Sequence, residues 1–401
     1  MIKILHKNSI IATFEYSEND YLLNYNNIQL QHSISLSLPN SKKIYTWNRN
    51  FPPYFETFLP EGYLYDIFKN LLMKEYGYID EYLLFSLLSP NIENRVTFLT
   101  DKTTLKIPTF DLDTILANDT ADTFSNILHT FLDKNAISGV QPKSIAVLKD
   151  KESLKNREYI IKTWGEEYPY LAENEYLCLQ ALKKAGIPIP EVRLSQNNRF
   201  LVVKKFIYKE DGSLLGFEEV LSLMEKNTIN KYQGSYEQIA KTIYPYLSNK
   251  KESMKNFFKT IIMNYLLKNG DAHLKNFGLL FSDDFKEIWF APAYDVVTTT
   301  AYIYKDKPAL MLNGKKIWFS KEELIKFGTK SCFLSHTEAQ KCYEECKTAL
   351  LNSIKDLEIY IIEHEHFTQV GKRMLSSWKL SLEEINMKEI SDDVIRTWSK
   401  Y

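Results

Sequence analysis

The sequence has almost no net charge and no long apolar run, and each absence argues against a class of protein. Its 50 Lys and Arg residues nearly balance 51 Asp and Glu residues, for a formal net charge of -1. Nothing in this balance favours strong direct binding to nucleic acid or to an anionic membrane. No apolar run approaches a membrane span, and the start, MIKILHKNSI, lacks the features of a signal peptide. The sequence therefore predicts a cytoplasmic protein without a membrane partner.

Cysteine is also scarce, and its spacing gives little support to a metal site. The four cysteines are Cys178, Cys332, Cys342 and Cys346, and no two form a C-x-x-C pair. A zinc site remains an alternative, because two of them lie four positions apart in a helical pattern near His336. Reduced, partly buried thiols are the favoured interpretation.

The first part of the chain, residues 1–105, is interpreted as a β-rich N-terminal subdomain. Short alternating runs such as SIIATFEY and SISLSLP predict strands. Turn residues in NFPPYFETFLPEG precede an amphipathic helical pattern, YLYDIFKNLLMKEYG, that ends at Gly77. A polar stretch at 100–125 connects this part to the next.

Residues 106–215 predict a second lobe of strands with one helix. SIAVLK and REYIIKTW predict a hairpin around the charged turn DKESLKN, and RFLVVKKF predicts a further strand. The helix is expected over 171–185, because Gly186 and a proline two positions later end its pattern.

Residues 216–401 are dominated by helical periodicity. Apolar residues recur between 254 and 266 at i, i+3, i+4, i+7 and i+8, which predicts one long helix with a buried face. The tail from about 335 is also helical. The order of elements predicts an α+β, bilobal protein-kinase-like fold, with a β-rich N-terminal subdomain and a mostly helical C-terminal lobe.

The polar stretch KNGDAHLKNFGL, at 268–279, follows the long helix and carries the main catalytic candidates. Asp271 and Asn276 have the spacing D-x-x-x-x-N. In protein kinases this spacing separates the acid that accepts the hydroxyl proton from the amide that binds Mg²⁺. Asp295, just past an apolar segment, would add a second hard oxygen ligand. The alternative is that the acids cap turns or helices and the amide satisfies backbone groups.

Candidates for phosphate contact lie earlier in the chain. In AISGVQPK, Gly139 permits close backbone approach to phosphate and Lys143 adds charge. The stretch is neither a G-x-G-x-x-G nor a Walker A loop, so an ordinary turn is the alternative.

A second candidate is Lys162, a lone charge inside the apolar strand YIIKTW, which calls for an anionic partner. Glu173 or Glu175 on the next helix could pair with it, as in kinases. The alternative is a lysine on the solvated face of an edge strand.

These segments resemble those of the HipA-like serine/threonine kinases, the toxins of bacterial toxin–antitoxin modules. The resemblance runs from about residue 34 to 298, and its most specific motifs are PPYFETFLPEG and GDAHLKN. Further matching segments are SISLSLP, SGVQPK, ENEYLCL, LVVKKF, KYQGSYE and APAYDVV.

The resemblance implies a role for each candidate residue. Asp271 would be the catalytic base, and Asn276 and Asp295 would be the Mg²⁺ ligands. ATP would be bound by the phosphate loop, the ATP-anchoring lysine, the connector that meets adenine and two residues that line the site. These residues are Ser138, Gly139, Val140, Gln141, Lys143, Lys162, Lys204, Phe206, His273 and Tyr294.

Two departures from the family pattern bear on function. Family members often carry an autophosphorylated serine at the start of the phosphate loop, and here Ala136 leaves Ser138 as the one candidate. Lys204, Lys205 and Phe206 replace the usual Glu-Arg-Phe of the connector. Backbone contacts to adenine would survive that change, whereas side-chain contacts would not.

The function implied is that of a Mg²⁺- and ATP-dependent protein kinase toxin. Its expected partners are a protein substrate, such as an aminoacyl-tRNA synthetase, and a small DNA-binding antitoxin. One alternative is a pseudokinase that acts through its antitoxin or another DNA-binding partner. The intact set of Lys162, Asp271, Asn276 and Asp295 argues against it. The second alternative is a small-molecule phosphotransferase, and the β-rich N-terminal subdomain argues against it.

Overall fold

A computed structural model describes most of the chain. The chain divides into two compact units. Both units are assembled from separated stretches, so the predicted division at 105 and 215 stays a prediction. The described residues are 1–26, 32–60, 73, 76–101, 109–111, 116–117, 143–149, 156–162 and 167–383, with the backbone alone for 109–111, 143–149 and 156–158. The first unit comprises Met1–Thr163, Ser195–Lys231 and Gly278–Ile288, and the second comprises Trp164–Leu194, Tyr232–Phe277 and Trp289–Tyr401.

Most of the described strands lie before residue 220 and most of the longer helices after residue 235, as predicted, although two short strands, Gly278–Phe281 and Ile288–Phe290, follow the long helix. The strands are β1 (Ile2–His6), β2 (Ser9–Ser17), β3 (Asp20–Tyr25), β4 (Ile44–Asn48), β5 (Thr97–Thr100), β6 (Thr109–Asp111), β7 (Lys143–Lys149), β8 (Asn156–Lys162), β9 (Val192–Leu194), β10 (Leu201–Lys204), β11 (Gly216–Glu219), β12 (Gly278–Phe281) and β13 (Ile288–Phe290). The helices are α1 (Pro53–Glu56), α2 (Glu81–Leu88), α3 (Leu171–Lys184), α4 (Val220–Leu223), α5 (Tyr236–Ile243), α6 (Lys250–Leu266), α7 (Lys321–Lys330), α8 (His336–Glu363) and α9 (Thr368–Leu382).

The first unit begins with an antiparallel sheet of order β4-β3-β2-β1-β5. The run SIIATFEY lies in β2, as predicted, and Ile2 of β1 stands opposite Phe14 of β2. One face of the sheet is apolar, because the side chains of a strand alternate between its two faces. Phe14 is fully buried there and its ring stacks on Phe55 with centroids 4.2 Å apart. Aromatic packing of this kind is the centre of the first unit's core.

The motif PPYFETF forms α1 and contributes to that core. Pro53 occupies the first turn, where its missing N–H costs nothing. Tyr54 is buried and its hydroxyl accepts a 2.8 Å hydrogen bond from Asn94. The carboxylate of Glu56 accepts a hydrogen bond from the side chain of Asn227 at 2.8 Å and from the backbone N–H of Thr228 at 3.0 Å. The motif therefore connects parts of the first unit that are far apart in sequence.

The strand predicted for SISLSLP is wrong: residues 34–38 form a series of bends. The backbone N–H groups of Leu36 and Ser37 donate to one carboxylate oxygen of the buried Glu218, at 2.8 and 3.1 Å. The hydroxyl of Ser222 donates to the other oxygen at 2.7 Å, and that of Ser37 also donates to it. A buried carboxylate needs such donors. These amides therefore bind an acid about 180 positions away instead of a neighbouring strand.

A second sheet of the first unit contains the predicted hairpin. Strands β7 and β8 pair antiparallel, with Lys143 opposite Lys162, and β10 pairs with the other side of β8. Residues 150–155 of the predicted charged turn lie outside the described residues, and Asn156 begins β8. Strand β6, within the stretch predicted to be a connector, pairs parallel with β7. Most of the helix predicted from YLYDIFKNLLMKEYG also lies outside the described residues. Gly77, its predicted end, has a φ of +73°.

The second unit is built around the predicted long helix, which is α6. The predicted apolar face is buried, and α8 contacts α3, α6, α7 and α9. Helix α3 ends as expected, because Gly186 has a φ of +70° and Ile187 N–H donates to Leu182 O at 3.1 Å. No helix in the described part of the chain combines the length and apolar character needed to cross a membrane.

We expect Glu218→Ala to destabilise the first unit by about 2–4 kcal/mol, because several buried donors lose their acceptor. Glu210→Ala, at an exposed position of the same unit, is the control and should change stability little. Urea unfolding of both variants measures the difference. Equal midpoints for the two variants would show that this carboxylate does not stabilise the unit.

Candidate active site

The polar loop begins where α6 ends, and its first residues are tied back to that helix. Lys268 has a φ of +57°, so the chain leaves the helical path there. Asn269 donates from its backbone N–H to Asn264 O at 2.8 Å and from its side chain to Asn264 Oδ1 at 2.9 Å. The ammonium of Lys268 lies over the ring of Trp318, and burial lowers the pKa of this lysine to about 8. The first residues of the loop are therefore held in place by packing and hydrogen bonds.

Gly270 needs to be glycine, because other groups occupy the space around it. A Cβ there would lie 2.0 Å from Asp306 Oδ2 and 2.8 Å from the backbone oxygen of Lys307. Its N–H donates to Thr299 Oγ1 at 2.8 Å, and the Thr299 hydroxyl donates to Lys268 O at 3.1 Å. The threonine hydroxyl thus bridges the helix end and the loop.

Asp271 is the candidate base, and both its backbone and its side chain are held. Its N–H donates to Asn269 Oδ1 at 3.1 Å, and its backbone oxygen accepts from His273 N–H at 2.8 Å. Its carboxylate Oδ1 accepts a 2.8 Å hydrogen bond from the hydroxyl of Tyr232. The Tyr232 ring also meets the His273 ring edge-on, with centroids 5.1 Å apart. Tyr232 was not among the predicted site residues, although it lies in the matching segment KYQGSYE.

Asn276 and Asp295, the two predicted metal ligands, are brought together. Asn276 ends a 3₁₀ turn, Leu274–Asn276, and its side-chain N–H donates to the backbone oxygen of Asp295 at 3.2 Å. This bond leaves the other amide atom, Oδ1, as the acceptor. That oxygen is buried and accepts no hydrogen bond from any described residue. A buried acceptor without a partner is costly, so the site calls for a ligand there.

A second hydrogen bond joins the segment around Asp295 to the loop. The hydroxyl of Tyr294 donates to Lys275 O at 2.7 Å. Asp295 itself has a φ of +54°, a left-handed conformation that a residue with a side chain adopts at a cost. Such strain is often found at functional sites, where surrounding bonds enforce it. The structure therefore brings Tyr294 and Asp295 to the same loop as Asp271, although the role of each in binding stays a prediction.

The donor set formed by Asn276 and Asp295 fits Mg²⁺. An amide oxygen and a carboxylate are hard oxygen ligands, and protein Mg²⁺ sites commonly use one or two carboxylates with waters and phosphates. Among the described residues, those of this site included, no group of three or more His, Cys, Asp or Glu side chains could hold a metal ion by itself. All four cysteines are free and buried, and burial raises the pKa of each.

The predicted ATP residues of the first unit are only partly described. Lys143 and Lys162 are direct register partners across β7 and β8. Lys204 ends β10, and the ring of Phe206 packs edge-on against Phe217 at 5.2 Å. The loop residues Ser138, Gly139, Val140 and Gln141 lie outside the described residues, so their roles stay predictions.

The two glutamates considered as partners of Lys162 are both buried on α3. Glu173 Oε1 accepts a 2.9 Å hydrogen bond from the hydroxyl of Tyr360 and a 3.0 Å hydrogen bond from His366 Nε2. Burial raises the pKa of Glu173, and these hydrogen bonds only partly offset the effect. Glu173 therefore has structural partners within its own unit, and which glutamate pairs with Lys162 stays a prediction.

The fold has a counterpart among solved structures. A chain from the complex described as the Shewanella oneidensis MR-1 toxin–antitoxin system of HipA, HipB and its operator DNA superposes with a TM-score of 0.71. The match covers 96% of this chain and 98% of that one, at 13% identity. The prediction of an α+β fold with a β-rich N-terminal part and a helical C-terminal part is confirmed.

Family models identify the chain more narrowly. The model described as the HipA-like C-terminal domain matches residues 135–354, and the HipA N-terminal domain matches residues 2–90. The chain belongs to the HipA-like family, and the resemblance stated from its motifs is confirmed.

Curated relatives agree with this assignment. A Haemophilus influenzae protein named "Putative kinase" is 33% identical over 184 residues, which are 42% of this chain and 53% of that protein. A Sinorhizobium fredii protein named "Putative kinase Y4dM" is 24% identical over 333 residues, 75% of this chain and 76% of that protein. The chain thus matches about half the length of the first relative.

We expect Thr299→Val to loosen the loop, because the Gly270 N–H and the Lys268 carbonyl lose their shared hydroxyl partner. The cost should be about 1–2 kcal/mol of local stability. Hydrogen exchange at the Gly270 amide measures it. Thr299→Ser keeps the hydroxyl and is the matched control. If the two variants exchange equally fast at this amide, the hydroxyl bridge has no role in holding the loop.

Proposed function

We propose that this chain is a Mg²⁺- and ATP-dependent protein serine/threonine kinase, and that it acts as the toxin of a toxin–antitoxin module. Family membership supports the class of protein. The observation that carries the proposal is the arrangement of the loop, in which a held, partly exposed acid and a buried amide oxygen five positions later point to separate tasks. Phosphoryl transfer needs these two tasks, since it depends on positioning and on charge neutralisation more than on covalent chemistry.

Asp271 would accept the proton of the acceptor hydroxyl. As the oxygen of a serine or threonine attacks the γ-phosphorus of ATP, a new O–P bond forms and the bond to the β-phosphate oxygen breaks. ADP leaves with that bond's electron pair, and the hydroxyl proton passes to the Asp271 carboxylate. Hydrogen bonds on both sides of the Asp271 backbone hold the base in place for this transfer.

Asn276 Oδ1 and the Asp295 carboxylate would hold Mg²⁺, and the ion would supply positive charge against the phosphates. The hydrogen bond from the Asn276 side chain to Asp295 O keeps the amide oxygen turned toward that role. Lys162 and the loop of Ser138 to Lys143 would bind phosphate oxygens. Backbone groups of residues 204–206 would meet adenine.

The proposed substrate is a translation-related protein such as an aminoacyl-tRNA synthetase, and the proposed partner is a small DNA-binding antitoxin. The Shewanella structure supports the partner, because it is a complex of HipA with HipB and operator DNA. The near-zero net charge of this chain also favours DNA contact through the partner.

Asp271→Asn should abolish phosphate transfer while nucleotide binding is retained, because the amide cannot accept the hydroxyl proton. A loss of at least about 100-fold is expected. Transfer from γ-labelled ATP with Mg²⁺ to cell-lysate proteins, compared between the parent chain and the variant, measures it.

The pattern of label distinguishes the alternatives. A lysate band labelled by the parent alone supports a protein kinase and leads to the substrate. Label on the chain itself alone would point to Ser138 as an autophosphorylation site. ATP binding without any label would favour a pseudokinase, and label on a sugar or aminoglycoside alone would favour a small-molecule phosphotransferase.

Asn276→Ala should raise the Mg²⁺ concentration needed for half-maximal transfer by about tenfold or more, because a metal ligand is lost. Asp295→Asn should act in the same direction. Asn256→Ala, on α6, is the control for a lost amide and should leave the requirement unchanged. Titration of transfer against Mg²⁺ provides the measurement. An unchanged requirement in both ligand variants would contradict the metal assignment.

A further inference from the structure

Tyr232 is an exposed residue whose hydroxyl is nevertheless hydrogen-bonded within the protein. The residue is 44% exposed, yet its hydroxyl donates to Asp271 Oδ1 at 2.8 Å. A tyrosine has an apolar ring and a polar hydroxyl that can find its own hydrogen-bond partner. Here the hydroxyl meets the one acid that the proposed chemistry requires as a base.

Hydrogen bonds from Met311 and Lys316 hold the segment that carries Tyr232. On the residues that follow it, Tyr236 N–H donates to Met311 O at 3.0 Å, and Met311 N–H donates to Gly234 O at 3.1 Å. The ammonium of Lys316 donates to the backbone oxygen of Tyr232 at 3.1 Å. The backbone around Tyr232 is therefore held by these bonds, and its ring is held by the edge-on contact with His273.

The hydrogen bond decides how the carboxylate is presented. The backbone of Asp271 is held by Asn269 and His273, but these bonds leave the side-chain torsions undetermined. The Tyr232 hydroxyl binds Oδ1. Within the described part of the chain, Oδ2 accepts no hydrogen bond. In this bond the hydroxyl donates and the carboxylate oxygen accepts. Oδ2 is thus the oxygen left to receive another proton.

We propose that Tyr232 is a positioning residue for the base: its hydroxyl holds Asp271 so that Oδ2 faces the incoming acceptor hydroxyl. The inference rests on the proposed function, in which Asp271 accepts that proton. It assigns to the segment KYQGSYE a role that the sequence pattern alone did not show.

Tyr232→Phe removes the hydroxyl and keeps the ring contact with His273. We expect kcat for transfer to fall about tenfold, with KM for ATP little changed, because orientation of the base matters in the transition state. Tyr244→Phe is the matched control, since the Tyr244 ring packs on Phe333 and beneath Lys250, both remote in sequence from the loop. It should leave kcat and KM unchanged.

A double-mutant cycle tests whether the hydroxyl acts through Asp271. In the Asp271→Asn background, Tyr232→Phe should cause no further loss of the residual rate. Three results would overturn the proposal: an unchanged kcat in Tyr232→Phe, an equal further loss in the Asp271→Asn background, or a higher kcat/KM for the acceptor. The last would mean that the hydroxyl obstructs the acceptor position.

A second readout separates this inference from the proposed function. With ¹³C-labelled Asp carboxyl groups, the Asp271 signal is the one missing from the Asp271→Asn spectrum. It should shift in Tyr232→Phe and stay in place in Tyr244→Phe. If the parent chain transfers no phosphate but this shift occurs, the kinase proposal fails while the contact stands. If the signal does not shift, the positioning role fails whatever the activity.

Discussion

The hydrogen bond from the Asn276 side chain to the backbone oxygen of Asp295 is the interaction on which the candidate site depends. It joins two polar residues that lie nineteen positions apart. It also determines the orientation of the amide, because only Oδ1 is then left to accept. The burial of that oxygen without a described donor is the strongest physical sign of a ligand. The left-handed backbone at Asp295 is in keeping with a segment held by such bonds.

A similar constraint organises the first unit, where the buried carboxylate of Glu218 collects backbone and hydroxyl donors from residues 35–37 and 222. The N-terminal family domain spans 2–90 and the C-terminal one 135–354, so this acid connects the two. A carboxylate removed from water is tolerated only where donors replace its hydration. The bends at 34–38 therefore depend on an acid in the other family domain.

Elements with a strong local period could be predicted from the sequence. The apolar spacing along α6 reflects a repeat of three or four positions, and the alternation in β2 reflects a repeat of two. The end of α3 is marked by one glycine in a left-handed conformation. SISLSLP also alternates, yet it forms bends, because Glu218 competes for its backbone donors. The three-residue strand β6 was not predicted from the sequence. The reason is related: its partner strand, β7, lies more than thirty positions away.

The sequence by itself determined the residue types of the site and their order: an acid, an amide five positions on, and a second acid after an apolar segment. It also identified the family, because PPYFETFLPEG and GDAHLKN are read directly from neighbouring letters. Only the tertiary structure decided the orientation of the Asn276 amide, the bond from Tyr232 to Asp271 and the threonine bridge at Gly270. Each of these joins residues about twenty to forty positions apart. Such bonds form only after folding has closed the intervening chain, and no local pattern records them.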